Sequence, residues 1–385
     1  MRIGVLKERY PGERRVGIVP ANVPKLTRSG IEVLVESGAG QCAGFPDEHY
    51  TEKGAQIAQR RDVLESCPLL VRVRAAADAG TGNEQLRAGQ IVVGLCDPLG
   101  NPQRVARFAS QGVTLFALEL IPRTTRAQSM DVLSSQATVA GYRAVLLAAV
   151  ELPKMFPLLM TAAGTVTAAK VFVIGAGVAG LQAIATARRL GAVVHAYDVR
   201  PACREQVESL GAKFVELPLE TTQAEDKGGY AKALGEEFYQ RQRQLMADTV
   251  AVSDVVITTA LIPGKPSPLL ITAEAVRRMS PGSVIVDLAA ERGGNCELTK
   301  ADQRVEENGV IILGPTNLPS EVPHDASIML GNNITNFLLH LIRDGQPQLD
   351  SEDEIIRETM VARDGQIVNP RVKELLQEPA SGNGP

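Results

Sequence analysis

The stretch KVFVIGAGVAGLQAIATARRLGAVVHAYDVR, residues 170–200, decides the fold. Val171 to Ile174 form an apolar run of β-branched and aromatic residues, the composition of a strand buried on both faces. Gly175, Gly177 and Gly180 then spell G-x-G-x-x-G, and Leu181, Ile184 and Ala185 recur at helical spacing. A second strand is expected from Ala192 to Tyr197, ending on Asp198. Each glycine has a physical task. Gly175 permits a tight strand-to-helix turn, Gly177 removes a Cβ so that backbone can approach a pyrophosphate, and Gly180 lets the helix lie close to the sheet. The helix N-terminus offers unpaired N–H groups and the positive end of a dipole. Asp198 stands eighteen positions after Gly180, close to the ~20 at which a carboxylate can accept hydrogen bonds from an adenosine ribose. That carboxylate repels a 2′-phosphate and so favours NAD over NADP, while Arg200, two residues on, would serve a phosphate. A G-x-G-x-x-G alone is an ordinary glycine-rich turn. Strand, glycines, helix, second strand and terminal acid together predict dinucleotide binding.

Working outward, short β-type runs alternate with helical segments from the start: Arg2 to Val5, Glu32 to Glu36, Leu69 to Val73, Ile91 to Leu95 and Val113 to Leu118, with helices expected over Val23 to Ser29, Asp47 to Ile57 and Pro102 to Gln111. Such alternation predicts a parallel sheet covered by helices. Ala127 to Leu152 reads as one tightly packed helix joining two domains, ended by Pro153. Further strands are expected at Lys213 to Val215, Val255 to Thr259, Ser283 to Asp287 and Val310 to Leu313, and Ser327 to Ile342 reads as a helix that carries the chain back. The expected fold is α/β: two Rossmann-like domains with parallel sheets, one bearing the glycine motif, separated by a cleft. The first domain is discontinuous, residues 1–126 plus 320–385, and the nucleotide domain is 127–319 with an insertion at 217–249. That insertion is polar, carries Gly228, Gly229 and Tyr230, and is either surface decoration or a lid. Residues 378–385 are expected to be disordered.

A chain of 385 residues with 44% hydrophobic and 22% charged residues and a net charge of −4 is that of a globular protein without the basic face of a nucleic-acid binder. Five scattered cysteines without a C-x-x-C pair read as reduced thiols in a cytosolic setting, and four dispersed histidines give no metal site. The N-terminus lacks the apolar core of a signal peptide, and no apolar run is long enough to insert directly in a membrane.

Arg123, Arg126, Gln128, Asp131, Ser134 and Ser135 crowd into PRTTRAQSMDVLSSQ. One reading is a helix N-cap with solvated charges. The other is a clamp for a nicotinamide carboxamide, which needs a donor and an acceptor in fixed places. Hydride transfer asks little acid–base chemistry of the protein and much positioning, with reacting carbons about 3 to 3.5 Å apart. Two further loops, TTALIPGKP at 258–266 and AERGGNC at 290–296, follow strands and so belong to the ligand side of a doubly wound sheet, or are plain structural turns.

KERYPGERRVGIVP, PRTTRAQSMDVLSSQATVAGYRAV, the glycine stretch with YDVR, GGYAKALGEEF, TTALIPGKP and VDLAAERGGNC together resemble the alpha subunit of proton-translocating NAD(P) transhydrogenase, over nearly the whole chain. The resemblance implies an NAD(H)-binding subunit that exchanges hydride directly with NADP(H) held on a beta subunit, coupled to proton movement through membrane-spanning partners. It implies a homodimer, cytoplasmic and peripheral on the cytoplasmic face of the inner membrane through those partners. Arg123, Gln128, Asp131 and Ser134 match the nicotinamide and ribose contacts, with Arg123, Gln128 and Asp131 closest to the chemistry, and Gln128 bridging toward the partner. Val178 and Ala179 match the pyrophosphate loop, and Asp198, Val199 and Arg200 the adenosine end. Gly229 and Tyr230 match the mobile loop that closes on NAD(H); Ser135 and Ala260 complete the expected cofactor set. Alanine dehydrogenase shares the outline and is the alternative, an amino-acid oxidoreductase. Its first-domain lysine and histidine have no counterpart in VRVRAAA or VVGLCDPLGN here, and Glu291 stands where its aspartate is expected. A non-catalytic NAD-sensing module is the third possibility.

Overall fold

The computed structural model describes residues 1–76, 86–218, 235–262, 264–349 and 352–377. The chain divides into two compact units, Met1–Gln136 with Pro319–Pro385, and Ala137–Leu318. Both are α/β units built on mainly parallel sheets. The division after Gln136 falls ten residues beyond the expected boundary at 126, inside a helix.

The chain opens with β1 (Arg2–Val5), α1 (Val23–Arg28), β2 (Glu32–Glu36), α2 (Asp47–Glu52), β3 (Gln56–Ala58), α3 (Arg60–Ser66), β4 (Leu69–Arg74), β5 (Ile91–Leu95), α4 (Pro102–Ala109) and β6 (Thr114–Ala117). The helix expected over Asp47 to Ile57 stops at Glu52, because Gly54 takes a left-handed φ of 93° and Gln56 turns into β3. Thr125–Met130 is a separate 3₁₀ segment, and only then does α5 (Val132–Glu151) begin, so the expected helix from Ala127 starts later.

The second unit contains a hairpin of β7 (Leu159–Thr161) and β8 (Gly164–Val166), then β9 (Lys170–Ile174), α6 (Val178–Arg189), β10 (Val193–Tyr197), α7 (Cys203–Ser209), β11 (Lys213–Phe214), α8 (Glu236–Ala251), β12 (Val255–Thr258), α9 (Ala273–Arg277), β13 (Val284–Asp287), β14 (Arg304–Glu307) and β15 (Val310–Leu313). Part of the expected 217–249 insertion is therefore regular structure. α8 buries Gln242, Met246 and Val250, spaced at four residues, against Phe172, Ile174 and Tyr197. Residues 219–234, with Gly229 and Tyr230, lie outside the described residues, as do 378–385.

The chain then returns to the first unit with α10 (Pro323–Leu341), a short pair β16 (Ile342–Arg343) and β17 (Gln346–Pro347), α11 (Glu354–Thr359), β18 (Met360–Arg363), β19 (Gln366–Ile367) and α12 (Pro370–Gln377). The first sheet runs β19-β18-β6-β5-β4-β1-β2-β3, parallel except that β18 pairs antiparallel with both β6 and β19. The second runs β11-β10-β9-β12-β13-β15-β14, parallel except for β14. In each, the strand order reverses beside the first strand, between β1 and β4 and between β9 and β12, which is where a doubly wound sheet opens a crevice at its carboxyl ends. Each unit has cores of its own: Val5, Val71, Val93 and Phe116 against Phe337 and Leu338 of α10 in the first, Val171, Val173 and Val286 against Ala144, Ala183 and Ile184 in the second.

Candidate functional site

In the second unit the crevice lies where β9 ends in the glycine turn. Gly175 has φ 98°, and a Cβ on it would stand 2.5 Å from Thr259 Oγ1. A Cβ on Gly180 would run into the carbonyl oxygen of Gly175. Both glycines are therefore required by the protein's own packing. Gly177 is different: a Cβ there meets no atom of the described residues within 4 Å. Gly177 is also the N-cap of α6, and no side chain caps that end, so the first-turn amides of Val178 and Ala179 form an anion-accepting helix terminus. Val178 is exposed and Ala179 half-buried. From the other side Gly141 of α5 touches the same turn so closely that a Cβ would overlap the Ala179 carbonyl.

Asp198, at the end of β10, is only 8% exposed. Its Oδ2 accepts from Ala176 N at 2.7 Å and Arg200 Nη2 at 2.9 Å, and its Oδ1 from the backbone N and the Nε of Arg200 at 2.8 and 2.9 Å. The carboxylate thus ties β10 to the glycine turn and is covered by a bidentate guanidinium; Val199 between them is half-buried. Ala260, at the end of β12, is gripped by Asn295: its N–H donates to Asn295 Oδ1 at 3.0 Å and its carbonyl accepts from Nδ2 at 2.9 Å.

The RAQSMD segment belongs to the first unit. Asp131 caps α5, accepting from Ser134 N at 2.9 Å and Ser134 Oγ at 2.6 Å, and Ser135 Oγ donates to Val132 O at 3.1 Å. The N-cap reading of these residues is thus realised in the structure. Arg123 and Gln128 are not buried, and Arg126 pairs at 3.4 Å with Asp353, which also meets His340 at 3.1 Å. Asn333 and Asn336 of α10 both donate to Ser129 O, at 2.9 and 3.0 Å, fixing the 3₁₀ segment.

The matching place in the first sheet is filled by its own side chains. Glu8 accepts from Val73 N at 2.6 Å across the β1–β4 junction, and burial raises its pKa. Beside it, Glu13 receives a fork from Arg15 at 2.8 and 2.7 Å and Arg74 Nε at 3.2 Å. Burial alone would raise Glu13, but hydrogen bonds from Arg15 outweigh it and hold the carboxyl down to about 2. The loop after β1 turns at Gly12, with φ 76°, but carries no G-x-G-x-x-G run, and Cys96, just past β5, is a buried thiol pushed well above its usual range by burial. Sequence reasoning pointed to the loops after β12 and β13 but missed Thr259, whose Oγ1 donates to Gly175 O at 3.1 Å, and Asn295, which holds the neighbouring Ala260. It also missed Gly141. A lone glycine inside an apolar helix was the available signal.

Family models described as "Alanine dehydrogenase/PNT, N-terminal domain" and "Alanine dehydrogenase/PNT, C-terminal domain" match residues 4–140 and 144–370. The chain is 48% identical over 377 residues to the first portion of NAD(P) transhydrogenase subunit alpha of Rhodospirillum rubrum, covering 96% of this chain and 98% of that one. The crystal structure of transhydrogenase from Sinorhizobium meliloti superposes with a TM-score of 0.82 at 43% identity, over 96% of this chain and 99% of the other. An L-alanine dehydrogenase structure reaches the same TM-score, 0.82, at 26% identity, over 98% and 99%. The chain belongs to the alanine dehydrogenase/PNT family, among the transhydrogenase alpha subunits.

Proposed function

We propose that this chain is the NAD(H)-binding component of a proton-translocating NAD(P) transhydrogenase, its second unit holding NAD(H) while a beta subunit holds NADP(H). The observation that carries this reading is the contrast within the glycine turn. Gly175 and Gly180 are dictated by internal contacts, whereas none of the described residues excludes a side chain at Gly177, the place where a bound pyrophosphate would.

When bound, NAD(H) supplies a nicotinamide ring that gives or accepts a hydride. The chain's residues position it. Val178 and Ala179 receive the pyrophosphate on the amides of the first turn of α6, and Asp198 turns from Arg200 toward the adenosine ribose, with Val199 and Arg200 beside it. By family resemblance the carboxamide and its ribose fall to Arg123, Asp131, Ser134 and Ser135; Ala260 stands beside the glycine turn, and Gly229 and Tyr230, assigned by the same resemblance, lie outside the described residues. Gln128 bridges toward the partner subunit, so that the second substrate arrives on another protein. Arg123, Gln128 and Asp131 act by geometry rather than by moving protons, since direct hydride transfer asks for no general base.

Membrane-spanning partners couple the exchange to proton movement and hold this chain at the cytoplasmic face of the membrane; no helix among its described residues is long and apolar enough to cross. The homodimer rests on the β7–β8 hairpin. Two short strands alone are marginal in water, yet this pair exposes Met160 at 75% and Val166 at 42%, next to Leu158 at 56%. A second copy covers such a surface.

Two measurements test the reading. Gly177→Ala should fold normally and lose NADH affinity by roughly tenfold or more, one misplaced contact at a phosphate being worth at least about 1.4 kcal/mol; wild-type affinity would remove the assignment. Purified chain mixed with a competent NADP(H)-binding subunit should exchange hydride between NADH and NADP⁺, and should not turn over alanine, or pyruvate with ammonia, by itself. Partner-free alanine oxidation would replace the reading with an amino-acid dehydrogenase.

A further inference from the structure

The loops after β12 and β13 are joined by a buried polar network that leads to the glycine turn. Asp287, at the end of β13, is fully buried. Its Oδ1 accepts from Thr258 Oγ1 at 2.8 Å and Ala289 N at 3.0 Å; its Oδ2 accepts from Asn295 N at 2.7 Å, Cys296 N at 3.0 Å and Thr299 Oγ1 at 2.7 Å. A buried carboxylate is tolerated only when its lone pairs are filled, and five donors converge on these two oxygens. Gly294, with φ 85°, leaves room for this: a Cβ there would stand 2.8 Å from Asp287 Oδ2.

Asp287 fixes the backbone of Asn295, and the Asn295 side chain, also fully buried, uses all the groups it has within reach. Besides gripping both polar atoms of Ala260, it donates to Pro268 O at 2.9 Å. The clamp on residue 260 sets its neighbour. Thr259 N donates to Ile174 O at 2.9 Å, extending the β9–β12 ladder by one rung, and Thr259 Oγ1 donates to Gly175 O at 3.1 Å. That carbonyl is the one against which Gly180 packs. The chain of contacts therefore runs from Asp287 through Asn295, Ala260 and Thr259 to the peptide that shapes the turn, entirely within the second unit.

We propose that Asp287, Asn295 and Thr259 form a clamp that holds the glycine turn in its nucleotide-accepting shape before the nucleotide arrives, with Thr259 as a positioning residue for the pyrophosphate. The inference rests on the reading of this turn as the NAD(H) site. Its logic is preorganisation: a turn already fixed loses less conformational entropy on binding, so the contribution appears in affinity rather than in the fold alone. Thr259 need not touch the ligand to do this.

Thr259→Val keeps the shape of the side chain and deletes the hydroxyl. NADH titration of the full chain, followed by protein fluorescence well below the melting temperature, should show affinity reduced by about tenfold, the worth of one hydrogen bond of ~1.4 kcal/mol. Thr259→Ser restores the hydroxyl and should return affinity to within about twofold of wild type. A merely structural hydroxyl would lower the melting temperature and leave the affinity of the folded chain unchanged, and that result overturns the proposal. Independently of nucleotide, hydrogen exchange at the Ala260 amide of the unliganded chain should accelerate in Asn295→Ala; equal protection in the variant and wild type means there is no clamp. If wild-type chain binds no NADH at all, the site reading fails and the positioning role with it, while the exchange measurement still reports whether the clamp exists.

Discussion

At Glu119, just past β6, a charge-dependent effect of opposite sign to ordinary carboxylates is built in. Its Oε1 accepts from Cys96 N at 2.6 Å and Asp97 N at 2.7 Å, supporting Asp97 at its left-handed φ of 52°. Its Oε2 is buried and finds no hydrogen-bond partner among the described residues. Burial pushes the carboxyl up to about 7, against those amides, which pull it down. Since the folded value lies above the unfolded value of 4.5, the contribution to stability is complete below 4.5 and is lost as pH rises through about 7, by about 3 kcal/mol in all. Glu119→Gln stays neutral and keeps an acceptor, so urea melts should show a flatter stability profile than wild type between about pH 4.5 and 7; parallel profiles would refute the assignment. Asp198 carries a different expectation. Read from sequence it is a ribose ligand alone, but in the structure it also holds Ala176 N and Arg200. Asp198→Ala should therefore weaken NADH binding and also cost about 1–3 kcal/mol of stability, because a buried N–H loses its acceptor; calorimetry and NADH titration together check both halves. The contacts of Asp198 with Ala176 N and of Glu119 with the Cys96 and Asp97 amides were not legible in the sequence, since those partners come from adjacent strand ends; Arg200, two residues from Asp198, is the one sequence neighbour among them.

Among the elements, α5 shows how a small residue decides placement. Gly141 lets the helix backbone lie on the Ala179 carbonyl at the start of α6. Gly141→Ala improves helix propensity by up to about 1 kcal/mol, yet the added methyl must displace the glycine turn at the start of α6. The expected outcome is net destabilisation by about 1–2 kcal/mol with weaker NADH binding; a variant more stable than wild type, with unchanged affinity, would show that the contact relaxes freely. Most strands of the two sheets were legible from their apolar runs and α5, α6 and α10 from their residue pattern, whereas β3 was read as the end of a helix, β14 was not expected and α8 was read as polar insertion. Three hairpins also carry a local signal that the alternation of strands and helices hides. Asn308-Gly309, Asp344-Gly345 and Asp364-Gly365 all take positive φ at both positions and join β14 to β15, β16 to β17 and β18 to β19, the residue pairs that a two-residue turn of this hand requires. β18 and β19 escaped because they extend the first sheet from the far end of the chain.

For the molecule as a whole, association is the property to test. Replacing Met160 by Asp places a charge on the exposed β7–β8 hairpin without disturbing either sheet. Sedimentation should find wild type as a dimer and Met160→Asp as a monomer with an unchanged melting profile at low concentration; a wild-type monomer would remove the hairpin as the interface. The sequence by itself determined the doubly wound class and the identity of the dinucleotide turn, because strand, glycine spacing, helix and acid are consecutive and their periodicities are local. Only the tertiary structure decided which glycines the fold itself requires, that Asp198 is already paired, and that Thr259 Oγ1 and the Asn295 side chain link the loops after β12 and β13 toward the glycine turn. Those facts depend on what a Cβ or a carboxylate meets across β9, β10, β12 and β13, and parallel pairing brings together residues 29 (β12 with β13) to 84 (β9 with β12) positions apart that no local pattern connects.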